Sequence, residues 1–248
     1  MITNFNKKRI LVIGLGDTGQ SVLHFLANKG CVIQAIDTRS TFDGLDDIKA
    51  TFKEVKFFIG DTFNDDIINE VELIIISPGV SLKESYVQAA LNRGIPVVGD
   101  IEIFSQIKPA NSKIIGITGS NGKTTVTSLV GELLKAEGIS TIVGGNIGTP
   151  ILNTLSQRAP DVYVLELSSY QLETTYSLVL ETAAVLNISE ESVTISFQKS
   201  GNLSWLGPPS SGTVSSGETR NFVCRKTGGW NKGDRKGKLT VKSGGESV

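Results

Sequence analysis

Cysteine, histidine and long apolar runs are scarce in this sequence of 248 residues. The two cysteines, Cys31 and Cys224, cannot build a disulfide framework, and their spacing matches no metal-binding pattern, which favours a reducing compartment. The only histidine, His24, lies in an apolar helical segment, where a structural role is expected rather than catalysis. No stretch approaches the ~20 apolar residues of a membrane span, and the first residues lack the apolar core of a signal peptide. These absences predict a cytoplasmic protein without a membrane partner.

Charge is distributed unevenly along the chain. Residues 1–191 carry 15 Lys and Arg against 22 Asp and Glu, whereas residues 192–248 carry 9 against 3. The second stretch also contains 10 glycines and 10 serines in 57 residues. Such a composition buries too little apolar surface to offset the entropy of ordering, so we expect residues 192–248 to form a largely disordered tail. A solvated tail is favoured over one that binds nucleic acid or an acidic partner.

Strands and helices alternate in the first hundred residues. The apolar run Arg9–Ile13 is typical of a buried parallel strand, and it leads into the turn GLGDTG (residues 14–19), a helix, and a strand that ends at Asp37. Further strands are expected over residues 55–59, 73–76 and 96–98. This alternation predicts an α/β fold with a covered parallel sheet, in a first domain over residues 1–107. Ligands of such sheets bind at the carboxyl ends of the strands.

The glycine turn, with an acidic residue about twenty positions further on, is the dinucleotide-binding fingerprint. Taken alone it favours a nicotinamide or flavin oxidoreductase. The alternative is that the glycines serve only the tight turn and no ligand binds. The motifs DTR (residues 37–39) and SPG (residues 77–79) end other strands of the same sheet. We therefore expect them to line one site with the turn.

A second strand–turn–helix stretch, GITGSNGKTT (residues 116–125), opens another α/β unit. Such a turn presents backbone N–H groups and the positive end of a helix dipole to a phosphate, and Lys123 adds a cation. The hydroxyl of Thr124 is placed to hold Mg²⁺. Only two residues separate Gly119 from Gly122, fewer than in the standard nucleoside-triphosphate loop. An ordinary turn with a solvated lysine is the alternative, and phosphate binding is favoured.

A later apolar strand, residues 161–165, delivers Glu166 to the same edge of this second sheet as the loop. Because the carboxyl ends of parallel strands share one edge, the carboxylate is expected near the loop, where it can hold Mg²⁺ against phosphates. A further strand is expected over residues 139–143. The sequence therefore predicts a phosphate-binding unit over residues 113–191.

Three motifs together resemble the Mur ligases: ITGSNGKTT (residues 117–125), GGNIG (residues 144–148) and ELSSYQLE (residues 166–173). The shortened phosphate loop is that family's version of the motif. The start of the chain and the motifs DTR, SPG and GDIE (residues 99–102) resemble the branch that joins D-glutamate to UDP-N-acetylmuramoyl-L-alanine. The resemblance covers about residues 5–191. It implies a Rossmann-like UDP-binding domain followed by an incomplete P-loop-type α/β ATP-binding domain.

The resemblance also implies a reaction. ATP would phosphorylate the alanyl carboxylate of UDP-N-acetylmuramoyl-L-alanine, and the amine of D-glutamate would attack the acyl phosphate, with Mg²⁺ as cofactor and the protein a monomer. The ATP-binding residues implied are Gly119, Ser120, Asn121, Gly122, Lys123, Thr124 and Thr125. The catalytic residues implied are Lys123, Asn146 and Glu166, and the metal ligands are Thr124 and Glu166. The substrate contacts implied are Leu15, Gly16, Asp17, Thr18, Asp37, Thr38, Arg39, Ser77, Gly79, Asn146, Ser168 and Gln171.

The resemblance stops at Ser192, which stands where the family has a metal-binding histidine, and a serine hydroxyl is a poor substitute for imidazole. The family's remaining central strands, its modified lysine and its carboxyl-terminal ligase domain have no counterpart in the sequence. We hypothesise a reading-frame change or a degenerate gene end, which sequencing the encoding DNA tests. A truncated, impaired ligase is expected, and a non-catalytic fragment that binds UDP-sugar and ATP is the alternative.

Overall fold

The computed structural model describes the backbone of residues 4–60, 65–188, 192–199, 212–215, 219–224 and 237–242. The described chain forms two compact units. The first comprises the chain up to Ala110 together with two later segments, Thr149–Ala159 and Ser168–Leu178. The second comprises Asn111–Gly148, Pro160–Leu167 and the described residues from Val179 onward. The chain therefore returns twice to the first unit after entering the second.

The first unit is built on a parallel sheet of five strands in the order β3-β2-β1-β4-β5. The strands are β1 (Arg9–Ile13), β2 (Val32–Asp37), β3 (Lys56–Ile59), β4 (Leu73–Ile76) and β5 (Val97–Val98). The helices that connect and follow them are α1 (Asp17–Leu26), α2 (Leu45–Thr51), α3 (Asp65–Ile68), α4 (Ser85–Asn92) and α5 (Asp100–Ile107). The predicted parallel α/β fold is confirmed.

Strand β4 is wholly apolar and β1 is apolar after Arg9, as is typical of parallel strands that are buried on both faces. Ile10, Leu11, Val12 and Ile74 are fully buried, and each such side chain contributes roughly 1.5–3 kcal/mol. The sequence patterns did not predict α2, α3 or α5. These helices have seven, four and eight residues, and an apolar pattern as short as this does not distinguish a helix from another element.

The second unit contains a six-stranded sheet in the order β11-β10-β9-β6-β8-β7. Its parallel strands are β6 (Lys113–Gly119), β7 (Thr141–Gly145), β8 (Val162–Glu166) and β9 (Thr182–Ile188), and helix α6 (Lys123–Ala136) packs against them. The 3-10 helix Ile151–Ser156 and helix α7 (Ser169–Glu173) lie on the two segments that return to the first unit. No helix in the described part of the chain combines the length and apolarity that crossing a bilayer requires.

Four strands are described beyond residue 191, in the stretch expected to form a largely disordered tail. Strand β10 (Ser192–Lys199) runs antiparallel between β9 and β11 (Gly212–Ser215), and β12 (Thr219–Cys224) pairs with β13 (Gly237–Lys242). Apolar residues alternate with polar ones along β10, which is a strand period. The other residues of the tail lie outside the described ones, and their disorder stays a prediction.

Candidate functional site

The phosphate loop of the second unit is shaped by two glycines that no other residue replaces easily. Gly119, at the end of β6, has a φ of 140°, and Gly122, just before α6, has a φ of 76°. A Cβ at Gly119 would overlap the carbonyl oxygen of Leu186 on β9. Both values of φ lie in the region that favours glycine. The chain therefore turns from strand into helix within three residues.

The ammonium group of Lys123 lies at the start of α6 and closes this loop. Its Nζ donates hydrogen bonds to the carbonyl oxygens of Gly119, at 2.9 Å, and of Ser120, at 3.2 Å. The N–H of Ser120 donates to the carbonyl oxygen of Leu186 at 2.9 Å. The side chains of Asn121 and Thr125 are exposed. A cation and the positive end of a helix dipole are thus concentrated at one place, which favours an anion.

Glu166 ends β8, next to β6 in the sheet, and is only 2% exposed. Its Oε2 accepts a hydrogen bond from the hydroxyl of Thr124 at 2.8 Å, and its Oε1 accepts one from Nδ2 of Asn146 at 2.9 Å. Asn146 is also fixed by its backbone, since its N–H donates to the carbonyl oxygen of Glu166 at 2.8 Å. The structure therefore brings together three residues that sequence reasoning had assigned to catalysis or to metal binding.

The donor set at Glu166 fits Mg²⁺. Carboxylate, hydroxyl and amide oxygens are the ligands this ion prefers, and it binds through one or two carboxylates together with waters and substrate phosphates. Both partners of the buried Glu166 carboxylate are neutral, so its charge is left for a cation to compensate. In the described part of the chain no three His, Cys, Asp or Glu side chains cluster as a metal cage. Glu166 and Thr124 are the residues that would hold the ion.

The glycine turn of the first unit is equally constrained. Gly14 has a φ of 88°, and a Cβ at Gly19 would overlap the carbonyl oxygen of Gly14. The hydroxyl of Ser77, at the end of β4, donates to that carbonyl oxygen at 3.0 Å and braces the turn. Gly16, Asp17 and Gly79 are exposed nearby on the same strand ends, and Thr18 is half-buried. This edge of the sheet is open to a ligand.

Asp37 and Arg39 are paired with one another. The Arg39 guanidinium donates from Nε to Oδ1 of Asp37 at 2.9 Å and from Nη2 to Oδ2 at 2.7 Å, and it lies over the ring of Phe42. The N–H of Leu15 donates to Oδ2 at 2.8 Å. Burial alone would raise the pKa of Asp37, but these hydrogen bonds hold it below its usual value. Asp37 thus ties the turn to Arg39, and Thr38 between them is exposed.

Ser168 and Gln171 form a capping box at the start of α7. The N–H of Gln171 donates to Oγ of Ser168 at 3.2 Å, and the N–H of Ser168 donates to Oε1 of Gln171 at 3.1 Å. The Gln171 side chain is 2% exposed, and its interaction with Asp100 lowers the pKa of that carboxyl, whereas Ser168 is half-buried. Contact of either residue with a substrate stays a prediction. Sequence reasoning gave Asp100 and Glu102 no role, because their partners lie about seventy residues further along the chain.

Comparison with known proteins matches both units to one family. Residues 8–99 match the model of the Mur ligase MurD-like N-terminal domain, and residues 117–193 match that of the Mur ligase middle domain. A UDP-N-acetylmuramoylalanine--D-glutamate ligase of Methylobacillus flagellatus is 52% identical over 184 residues, which are 74% of this chain and 40% of that protein. The ligase of the same name from Pasteurella multocida is 49% identical over 191 residues, 77% of this chain and 42% of that protein.

The chain thus spans about two fifths of the length of these relatives. A solved ligase from Neisseria meningitides, UDP-N-acetylmuramate:L-alanyl-gamma-D-glutamyl-meso-diaminopimelate ligase, is 18% identical, with a TM-score of 0.41 over 64% of this chain and 52% of that one. The match to the N-terminal domain covers the first parallel sheet. The match to the middle domain follows it along the chain and begins in the phosphate loop. The chain belongs to the Mur ligase family, because it matches the models of that family's N-terminal and middle domains.

Proposed function

We propose that this chain carries the UDP-sugar-binding and ATP-binding parts of a ligase that adds D-glutamate to UDP-N-acetylmuramoyl-L-alanine through an acyl phosphate. The observation that carries the proposal is the buried Glu166 carboxylate held between Thr124 and Asn146, beside the phosphate loop. The names of the relatives, about half identical over this part, supply the substrates. The monomeric state and the cytoplasmic location stay predictions.

The residues of the second unit would act on the phosphates of ATP. Lys123 and the loop N–H groups neutralise negative charge as the γ-phosphoryl group is transferred, and the transfer depends on such positioning and charge neutralisation. Thr124 and Glu166 hold Mg²⁺, which when bound draws charge from the phosphate oxygens. Asn146 is kept in place by Glu166 and presents a neutral donor.

The residues of the first unit would bind the UDP-sugar. Asp37, with Arg39 and the N–H of Leu15, shapes the end of β2, and Ser77 shapes the glycine turn. The exposed groups around them are left for the ligand, and Ser168 and Gln171 are proposed as contacts with the same substrate. The proposed contacts in the turn and at the strand ends are Gly16, Asp17, Thr18, Thr38, Gly79 and the backbone of Leu15, whose side chain is fully buried.

Calorimetric titration of the 248-residue chain tests the two binding functions separately. We expect UDP-N-acetylmuramoyl-L-alanine to bind, and ATP to bind in the presence of Mg²⁺. Lys123→Ala should lose about 100-fold in affinity for ATP and keep its affinity for the UDP-sugar. The matched control is Lys135→Ala, which removes a surface lysine of the same helix. Failure of the wild-type chain to bind the UDP-sugar overturns the proposal.

The second candidate function is binding of both nucleotides without turnover. It is favoured by Ser192, which stands where the resemblance to the family implies a metal-binding histidine. Phosphate release in the presence of both nucleotides, Mg²⁺ and D-glutamate decides between the two. Release that requires all the substrates and is lost in Lys123→Ala supports the ligase, and binding without release supports the second candidate.

A further inference from the structure

The motif GDIE (residues 99–102) begins α5 and holds the returning segment Ser168–Leu178, which carries Ser168 and Gln171. The N–H of Gly99 donates to the carbonyl oxygen of Thr174 at 3.2 Å. A Cβ at Gly99 would come close to the hydroxyl of Thr174, so glycine permits this approach. The backbone of the motif and the segment are therefore in direct contact.

Glu102 binds the far end of the segment through backbone N–H groups. Its Oε2 accepts hydrogen bonds from the N–H of Tyr176 at 2.6 Å and of Ser177 at 2.8 Å. Its Oε1 accepts one from Nε2 of Gln106 at 2.6 Å, and the hydroxyls of Ser105 and Ser177 lie 2.5 Å apart. Glu102 is only 2% exposed, and bonds from N–H groups to an ionised carboxylate are among the strong ones.

Asp100 reaches the near end of the same segment. Its side chain is 1% exposed, and interaction with the Gln171 side chain lowers the pKa of this carboxyl against the rise that burial causes. Gln171 in turn accepts the N–H of Ser168. Asp100 is therefore close enough to Gln171 to interact with it electrostatically. The hydrogen bonds that hold the segment come from Gly99 at position 174 and from Glu102 at positions 176 and 177.

We propose that Glu102 is a positioning residue that, by holding positions 176 and 177, fixes the turn of Ser168 and Gln171 in the geometry that the UDP-sugar substrate requires. Glu102 is not assigned contact with the substrate, and it acts through the segment. The inference rests on the proposed function for the identity of the ligand. The geometry of the turn can be measured without any ligand, so the positioning role of Glu102 and the proposed function can fail separately.

Hydrogen exchange of the backbone amides in the 248-residue chain tests the geometry. Glu102→Ala is expected to raise the exchange of the amides at 171–177 by about tenfold or more, because two N–H groups lose a charged acceptor. The matched control is Glu72→Ala, whose carboxylate accepts the N–H of Arg9 at 3.0 Å, far along the chain from the segment. Unchanged exchange in Glu102→Ala, or a rise spread equally over the first unit, overturns the proposal.

Affinity for UDP-N-acetylmuramoyl-L-alanine tests the consequence for the substrate. Glu102→Ala is expected to bind it about tenfold more weakly, while Glu72→Ala binds it as the wild type does. Glu102→Gln should recover much of the loss, because the carboxamide oxygen still accepts backbone N–H groups. Exchange that rises with no change in affinity shows that the segment is held for stability alone, and it overturns the proposal.

Two further outcomes are decided by the same measurements. If Glu102→Ala does not fold, Glu102→Gln replaces it, with an expected rise of about threefold in exchange confined to the same amides. If the wild-type chain does not bind the UDP-sugar, the proposed function fails. The exchange data then test the positioning role by themselves. If faster exchange in Glu102→Ala is confined to the amides at 171–177, Glu102 still positions the turn, but the UDP-sugar is no longer its assigned ligand.

Discussion

The glycine turn of the first unit and the phosphate loop of the second use one backbone device and differ in the charge beside it. Each passes from a parallel strand through glycines that leave no room for a Cβ into a helix. Asp37, on the neighbouring strand β2, is compensated by the guanidinium of Arg39. Glu166, on the neighbouring strand β8, has the neutral donors of Thr124 and Asn146 as its side-chain partners among the described residues.

This difference separates two uses of a carboxylate at a sheet edge. A carboxylate that already has a cation organises the loop around it and leaves recognition to the exposed groups nearby. A buried carboxylate with neutral partners attracts a cation from solution, and here that cation would arrive with phosphates. Asp100 is a third case, since it is buried and has an Oδ1 without a hydrogen-bond partner among the described residues. The following four predictions test these distinctions.

The largest effect on stability is expected from replacing the glycines, which both turns require. Gly119→Ala should lower the free energy of unfolding by about 3 kcal/mol, because it adds both a positive φ and an overlap with the Leu186 carbonyl. Gly19→Ala adds only an overlap, with the Gly14 carbonyl, and should cost about 2 kcal/mol. Urea denaturation measures both. Gly138→Ala is the control, with a φ of 76° and open space around it, at about 1 kcal/mol.

Glu166→Gln is expected to lower the affinity for ATP with Mg²⁺ by about 100-fold, because the charge that compensates the metal is lost. The free energy of unfolding without nucleotide should change by less than about 1 kcal/mol, since no cationic partner is stranded. Calorimetric titration and urea denaturation measure the two quantities. Glu132→Gln, a surface change on α6, should alter neither. An unchanged affinity in Glu166→Gln would show that Glu166 does not bind the metal, and the proposed difference between the carboxylates of the two units would fail.

Asp100 gives the clearest expected dependence on pH. Burial raises the pKa of this carboxyl to about 6, against 3.8 in a model compound. Because the folded state holds the proton more tightly, stability from this group is fully present below about pH 4 and is lost as pH rises through 6. The wild type should therefore lose about 2 kcal/mol relative to Asp100→Asn between pH 4 and pH 7. Urea denaturation across this range measures the difference, and parallel curves for the two proteins would contradict it.

Asp37→Asn should show the opposite dependence and the smallest effect. The pKa of Asp37 is lowered, so its stabilisation is present above its usual range and disappears as pH falls through the folded value. At pH 7 we expect a loss of about 1 kcal/mol, because Arg39 is half exposed and solvent screens the pair. The loss should vanish in strong acid. Denaturation at pH 7 and pH 3 measures it, and an equal loss at both values would show that charge is not involved.

The strands β1 to β8 could be predicted from the sequence, whereas the short helices α2, α3 and α5 and the strands from β9 onward could not. Buried parallel strands are continuous in apolar residues, and glycine turns mark where they pass into helices, so these eight strands and the phosphate loop followed from pattern alone. The meeting of Thr124 and Glu166 was also predictable, since strands β6 and β8 end at the same edge.

Contacts that depend on the path of the chain could not be predicted. Nothing in the spacing shows that Ser168–Leu178 belongs to the first unit, or that Glu102 accepts the N–H groups of Tyr176 and Ser177. Backbone donors carry no signal in the sequence. The pairing of Asp37 with Arg39 was hidden for a different reason, because both residue types also suit a ligand contact and composition does not distinguish the two uses.

The contacts of Lys123 have a consequence for how a nucleotide enters the loop. Its ammonium group already donates hydrogen bonds to two carbonyl oxygens. A phosphate that binds therefore replaces these oxygens as the acceptors, and the number of hydrogen bonds made by the lysine changes little. The enthalpy of binding should accordingly be modest for so charged a ligand. The loop should lose little conformational entropy, because it is already folded before the nucleotide binds. Association should then proceed at a rate set by diffusion and electrostatic attraction, with no slow folding step, and should fall as salt is added.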